Sequence, residues 1–155
     1  MSVKLFIFNF FLLFSITISA QKYYTNTGIT EFDGSKAAFE PIKAKNNSSI
    51  SAINVSNGNI AALIKIKDFE FRLGLMQEHF NENYLESDIY PKSTFVGKII
   101  AHKNDVATVE GNLSIHGEKN KISVQGNFQI NDKVAQVADV KFTVKLKDYK
   151  IKVPK

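Results

Sequence analysis

The chain has 155 residues, of which 44% are hydrophobic, 12% aromatic and 23% charged, and its formal net charge is +5. This length fits one domain, and the apolar fraction excludes a disordered chain. The absence of cysteine excludes disulfides, thiolate metal sites and cysteine nucleophiles. The lysines are scattered and form no compact basic run, so we expect no nucleic-acid partner.

The first twenty residues have the composition of a secretory signal peptide. A basic start is followed by an apolar run over residues 5–18, and small residues follow up to Ala20. A helix of this run covers about 21 Å, short of the roughly 30 Å hydrocarbon core of a bilayer, and Asn9 interrupts it. We therefore expect residues 1–20 to be removed and residues 21–155 to form the domain. No stable membrane span would remain, and the expected localisation is periplasmic or secreted.

After the expected cleavage site, apolar and polar residues alternate with the period of two that is typical of β-strands. About eight strands are predicted, and in chain order they cover residues 23–32, 42–44, a stretch that includes Ile53 and Val55, and residues 60–66, 95–101, 106–115, 121–130 and 134–147. A bulge is expected near Lys67, after which Phe69 and Phe71 resume the inward register. The pair Asn57-Gly58 predicts a type I′ hairpin turn before residue 60, and Asn104-Asp105 predicts a second turn.

Residues 72–91 depart from the strand period. Met76, Phe80 and Tyr84 recur at helical spacing, which predicts a short helix followed by an irregular loop. We expect this segment to be a cap and portal over one end of the domain, with its carboxylates facing outward. Its apolar residues expected to point into the interior are Leu75, Met76, Phe80, Tyr84 and Leu85. Pro91 is expected to fix the return into the next strand.

Antiparallel strands with one apolar face form either a sandwich or a barrel. Strands of an outer-membrane barrel also alternate apolar and polar residues, with the apolar face toward lipid. Here, however, the aromatic residues do not cluster at strand ends, and such an orientation would crowd Lys141, Lys145 and Lys147 into the lumen. We therefore expect a soluble, all-β, antiparallel fold of about eight strands. The interior of such a barrel is either filled by side chains or holds one small ligand.

Three segments resemble motifs of the YceI-like family. Residues 75–98 contain a polar loop that closes with Ser-Asp-Ile-Tyr-Pro and leads into a Thr-Phe strand. Residues 111–117, Gly-Asn-Leu-Ser-Ile-His-Gly, resemble the family's Gly-x-Leu-Thr-Ile-x-Gly strand, with Ser114 where threonine is usual. Residues 142–149 fit its closing pattern. The resemblance spans nearly all of residues 21–155.

The resemblance implies an eight-stranded antiparallel, lipocalin-like barrel with one short cap. It also implies an apolar interior that binds an isoprenoid or comparable long-chain lipid, with no cofactor and no assigned catalysis. The side chains expected to line that interior are Phe69, Phe71, Leu75, Met76, Phe80, Tyr84, Phe95, Phe128, Val140 and Phe142. A plain packed core would place the same residues inward, and the domain would then be a ligand-free structural or interaction module of the cell envelope. The sequence leaves open whether the protein forms a homodimer.

Candidate catalytic and metal-binding residues do not form a recognisable constellation. Glu78, Glu82, Glu86 and Asp88 lie in one short polar segment, whereas a glycosidase needs two carboxylates opposed across a cleft. His79 has no second histidine four residues away, so the zinc-protease motif is absent. We therefore expect neither enzymatic activity nor a metal site. An enzyme would require these carboxylates and a histidine to converge in one pocket.

Overall fold

The structure is a computed structural model that describes residues 22–35, 41–130 and 135–152. The expected signal peptide lies outside these residues. The eight strands are β1 (Lys22–Asp33), β2 (Lys43–Asn54), β3 (Asn59–Lys65), β4 (Glu70–Phe71), β5 (Lys92–Lys103), β6 (Val106–Ile115), β7 (Glu118–Ile130) and β8 (Ala135–Val140). One short α-helix, α1 (Gly74–His79), is followed by a turn of π-helix, Phe80–Tyr84.

The strands form one antiparallel sheet in the order β1-β2-β3-β5-β6-β7-β8, and β4 pairs with β2 beyond the end of β3. Tyr23 from one edge strand and Val140 from the other pack against the same buried cluster, so the sheet is curled. Within the described ranges, β1 and β8 each have a strand neighbour on one side only, which makes this part of the chain a half-barrel. The predicted all-β, eight-stranded antiparallel fold is confirmed. No helix among the described residues is long and apolar enough to cross a membrane.

Short hairpins join most neighbouring strands. Asn104-Asp105 and His116-Gly117 each have positive φ at both positions, as a two-residue type I′ turn requires. The turn at Asn57-Gly58 is present, but it belongs to a four-residue loop in which only Gly58 has positive φ. The predicted type I′ geometry at that position is therefore wrong, although the position of the hairpin is right.

The predicted bulge near Lys67 is instead a turn of 3-10 helix, Ile66–Asp68. The Asn46 amide fixes its start by donating to the Lys65 carbonyl at 3.0 Å, and the Ser48 hydroxyl donates to the Asp68 carboxylate at 2.5 Å. After this turn Phe69 is buried and Phe71 is half-buried, so both residues resume the inward register as predicted.

The last strand is shorter than the predicted 134–147. Pairing of β8 with β7 ends at Val140, and the chain then forms a 3-10 turn, Leu146–Tyr149. Tyr149 and Ile151 are buried at the cap end. Phe142 lies beyond the paired part of β8 and its side chain is 51% exposed, so its expected inward position is wrong.

The cap segment is helical, as its spacing predicts, and packs over one end of the sheet. Phe80 is 6% exposed, and its ring centroid lies 5.5, 5.5 and 4.9 Å from those of Phe32, Phe69 and Phe71. Leu75 is 67% exposed, so its expected inward position is wrong. Successive helical residues are turned by about 100°, so a helix that buries Phe80 and half-buries Met76 turns Leu75 to solvent. Pro91 directly precedes β5, as predicted.

His116 ties the cap to the C-terminal turn. Its Nε2 lies 2.6 Å from the Glu86 carboxylate, its Nδ1 lies 3.1 Å from the Tyr149 carbonyl oxygen, and Tyr90 contacts the ring at a centroid distance of 4.4 Å. The His116 side chain is 9% exposed. A carbonyl oxygen can only accept, so Nδ1 is the donor in the bond to Tyr149. We call His116, Glu86, Tyr90 and Tyr149 the cap latch.

Burial raises the pKa of the Tyr149 hydroxyl, and the charge of Asp148 adds to this effect. Asn120 lies close enough to lower that pKa slightly, but its amide donates to the Asp148 carbonyl at 2.7 Å. The Tyr149 hydroxyl consequently has no hydrogen-bond partner among the described residues. Its ring is held by packing rather than by its polar end.

We predict that Phe80→Ala lowers the free energy of unfolding by about 3–5 kcal/mol, because it empties the centre of an aromatic cluster. Leu75→Ala, in the same helical segment, should change it by less than about 0.5 kcal/mol because Leu75 is exposed. Urea unfolding monitored by circular dichroism measures both. Equal effects of the two changes would show that Phe80 is not part of the core.

We predict that His116→Asn lowers the free energy of unfolding by about 1–3 kcal/mol, because it leaves the Tyr149 carbonyl without its donor. Asparagine tolerates the positive φ of this turn position, so the backbone is not newly strained. The control is His102→Asn, since His102 also contacts a carbonyl, that of Phe128 at 3.1 Å, but is exposed. A loss at position 102 as large as that at position 116 would contradict the latch.

We predict that Tyr149→Phe leaves stability at neutral pH unchanged or raises it, because it removes an unpartnered buried hydroxyl. Because the pKa of Tyr149 is raised on folding, this group makes stability independent of pH below the pKa of an unfolded tyrosine, about 10, and lowers the stability of the wild type as pH rises further. Urea unfolding at neutral and alkaline pH should therefore show a smaller alkaline loss for the variant. An identical alkaline loss in both proteins would exclude this role of Tyr149.

Candidate functional site

The concave face of the sheet carries two apolar clusters. The cap cluster has eight buried members, which are Ala44, Ile66, Phe69, Phe80, Leu85, Leu113, Tyr149 and Ile151. The open-end cluster has four buried members, which are Ile53, Ala107, Val109 and Phe128. Because the strands alternate, every sheet residue in either cluster comes from the inward face of its strand.

The cap cluster is filled by side chains. Phe32, Phe71 and Tyr84 pack against it from three different elements, and Phe80 lies among the rings. The predicted opening at this end is therefore closed by the aromatic residues that were expected to form it. This end of the domain is therefore a packed core, the alternative to a ligand-lined interior.

The open-end cluster has a buried floor and a half-buried wall. The wall consists of five half-buried side chains, which are Tyr23, Ile60, Ile99, Val124 and Val140. They come from β1, β3, β5, β7 and β8, and thus surround the floor from both edges of the curled sheet. Each is only partly buried and retains accessible surface, so this end offers a contact area for an apolar ligand.

Phe95 divides the two clusters and packs against both. Its ring lies over Gly97 and Gly111, which face each other on β5 and β6. A Cβ atom at either glycine would come within 2.6 or 2.7 Å of the Phe95 Cζ atom. The aromatic ring therefore occupies the space that the two missing side chains leave, an arrangement in which an aromatic side chain covers strand glycines.

Two surface depressions adjoin the concave face. A depression of about 330 Å³ lies at the open end and is lined by Val55, Asn57, Gly58, Ile99 and His102. Ile99 both lines this depression and packs against the open-end cluster. A second depression of about 290 Å³ lies near the cap and is lined largely by charged residues of β1, β2 and β4. Hydrogen bonds from Ser35 lower the pKa of Asp33 beside it.

The residues predicted to bind ligand are divided between these regions. Phe69, Phe71, Phe80 and Tyr84 belong to the cap cluster, Phe128 and Val140 belong to the open-end cluster, and Phe95 belongs to both. Leu75 and Phe142 are exposed, and the half-buried Met76 belongs to neither cluster. The prediction omitted the wall residues Tyr23, Ile60, Ile99 and Val124. The period of two already placed Ile60 and Val124 on inward faces, so that signal could have identified them.

The titratable groups of the cap do not assemble a reaction centre. Glu78 and Glu82 are exposed, Asp88 pairs with Lys67 at 2.6 Å, and Glu86 is held by His116. Among the described residues, no three histidine or acidic side chains come together as metal ligands would. The chemistry available at the site is apolar contact.

Solved structures with the same fold are found in several bacteria. A polyisoprenoid-binding domain from Saccharophagus degradans shares 15% identity over 71% of this chain and 68% of its own, with a TM-score of 0.59. BcnA from Burkholderia cenocepacia shares 14% identity over 84% and 74%, with a TM-score of 0.56. A YCEI protein from Campylobacter jejuni shares 17% identity over 82% and 80%, with a TM-score of 0.61. At these identities the likeness concerns the fold.

No curated protein matches the chain by sequence. The model of the YceI-like domain, in contrast, matches residues 14–155, which is nearly the whole chain and includes all three motif segments. The protein therefore belongs to the YceI-like family.

Proposed function

We propose that this protein is an exported carrier that binds an isoprenoid or similar long-chain lipid at the open-end cluster of its concave face. The observation that carries the proposal is the wall of five half-buried apolar side chains around a buried apolar floor. In a fully packed core these side chains would be covered by protein. Here they retain apolar surface that a ligand chain could cover.

The magnitude of the hydrophobic effect supports a long apolar ligand. Each buried CH₂ group contributes roughly 0.8 kcal/mol, so a few isoprene units supply the affinity of a useful carrier without polar contacts. Binding of this kind selects the ligand by length and shape. Its head group would lie in the open-end depression, where Asn57 and His102 are the polar lining residues.

The relatives support the same ligand class. The Saccharophagus degradans domain with this fold is described as polyisoprenoid-binding, and the family match covers most of the chain. Export is part of the proposal because residues 1–20 have the composition of a signal peptide. A periplasmic or secreted carrier would shield its lipid from water between membranes.

A ligand-free structural module is the second candidate, and the filled cap cluster favours it. If the side chains of the open end close together in solution as those of the cap do, no ligand could enter. The two candidates differ in one measurable property, which is whether the folded protein takes up lipid.

The test is native mass spectrometry of gently purified protein, followed by titration with octaprenol. We expect a bound lipid, and we expect Ile99→Gln to weaken octaprenol binding by about tenfold, because a polar group would face the apolar wall. The matched control is Ile100→Gln, since Ile100 is the next residue and is 55% exposed. A homogeneous ligand-free mass without octaprenol uptake would refute the carrier and support the module.

A further inference from the structure

A second apolar surface lies on the outer face of the sheet, away from both clusters. Tyr24, Ala52, Ala61 and Val96 stand directly opposite one another on β1, β2, β3 and β5, in one row across the four strands. All four are exposed, Tyr24 by 67% and Val96 by 62%. Side chains of such a row face the same side of the sheet, so the row forms a continuous surface.

The neighbouring row extends this surface. Ile50 and Leu63 stand opposite each other on β2 and β3, two positions along from Ala52 and Ala61, and both are half-buried. We call these six residues, Tyr24, Ile50, Ala52, Ala61, Leu63 and Val96, the outer patch. A contiguous exposed apolar surface with a polar rim is typical of an interaction site.

The rim of the outer patch is basic. Lys65 and Lys92 are exposed and stand directly opposite each other at one end, although like charges in that position repel. Lys22 and Lys98 flank the patch at the other end, also exposed. None of these four lysines forms an ion pair with the part of the chain that the structure describes. They also contrast with Lys43, Lys67, Lys121, Lys141 and Lys150, each of which pairs with a carboxylate.

Carboxylates near this rim are already engaged, because Asp68 accepts a hydrogen bond from the Ser48 hydroxyl and Asp88 pairs with Lys67. Glu110 stands opposite Lys98 on β6, but its Oε2 atom lies 3.1 Å from the Lys121 ammonium group. The outer patch thus combines apolar side chains with lysines at both ends that form no ion pair with the described residues. A binding partner that complements the outer patch must carry negative charge opposite both groups of lysines. Between them it must accept apolar side chains.

We propose that the outer patch docks this protein onto the surface of an anionic lipid bilayer. Each lysine near an anionic membrane surface raises the affinity about fivefold. The apolar stem of a lysine can lie on the hydrocarbon while its ammonium group stays in water. Tyrosine is amphipathic and is therefore suited to the membrane–water interface. A bilayer presents negative charge continuously, which matches lysines at opposite ends of a patch better than a single acidic segment does. This inference does not depend on the interior ligand, because no outer-patch residue belongs to either concave cluster.

The experiment is vesicle flotation of the full folded domain. One set of vesicles is pure phosphatidylcholine, and the other contains equal parts of phosphatidylcholine and phosphatidylglycerol. We expect binding to the anionic vesicles only, weakening as salt is raised. Replacing Lys65→Gln and Lys92→Gln together should weaken it about 25-fold, and Val96→Ser should also weaken it.

The matched controls carry the same chemistry elsewhere. Lys121→Gln removes a lysine that is already paired, and Leu75→Ser removes an apolar side chain as exposed as that of Tyr24, 67% in each case. Both should bind vesicles within about twofold of the wild type. Ile99→Gln should also bind vesicles normally, which separates failure of docking from failure of the interior lipid site.

Three outcomes would overturn the proposal. The first is absence of binding to anionic vesicles, and the second is equal binding to both vesicle types. The third is binding that the control changes reduce as much as the patch changes do. If the protein ignores vesicles but forms a dimer in gel filtration that Val96→Ser dissociates, the outer patch is instead an interface between two copies of this chain.

Discussion

The contact of Phe95 with the Gly97–Gly111 pair determines how the concave face is divided. Two glycines opposite each other leave a gap in the side-chain layer, and the ring of Phe95 fills it. Because Phe95 packs against both clusters, it separates a filled end from an end whose wall is half-buried. A side chain at either glycine would displace the Phe95 ring from its position between the two clusters. The location of the candidate site therefore depends on the absence of two Cβ atoms.

The closed end and the open end have complementary roles in this arrangement. At the closed end, the cap, β4 and the C-terminal turn bring Phe80, Phe71 and Tyr149 together, and the cap latch fastens the polar side of that assembly. The cap cluster has eight buried members, whereas the open-end cluster has four and a half-buried wall. This division explains how one small domain could be stable and still retain a contact area for lipid.

Local patterns predicted most of the fold and part of the site. Alternation identified the inward residues of β3, β6 and β7, and turn residues located the hairpins at Asn57-Gly58 and Asn104-Asp105, because both signals depend on neighbours in the sequence. The filling of the cap cluster was not predictable, since it depends on how Phe80 packs with Phe69 and Phe71 and with the sequence-distant Phe32 of β1. The latch was missed for the same reason, as Glu86 and Tyr149 lie 30 and 33 residues from His116. The end of β8 depends on where its partner stops pairing, which no local signal records.

The two faces of β3 connect the fold to both proposals. Ile60 and Ile64 face the concave side, while Ala61 and Leu63 face outward, so the strand is apolar on both sides. Strands with this composition are usually covered on both faces, whereas an antiparallel sheet exposed to water on one face normally carries polar residues there. The fold itself requires only the inner set, because both described clusters lie on the concave face. The apolar outer face therefore fits an interaction with another molecule, and the unpaired lysines at its ends favour an anionic surface as the partner.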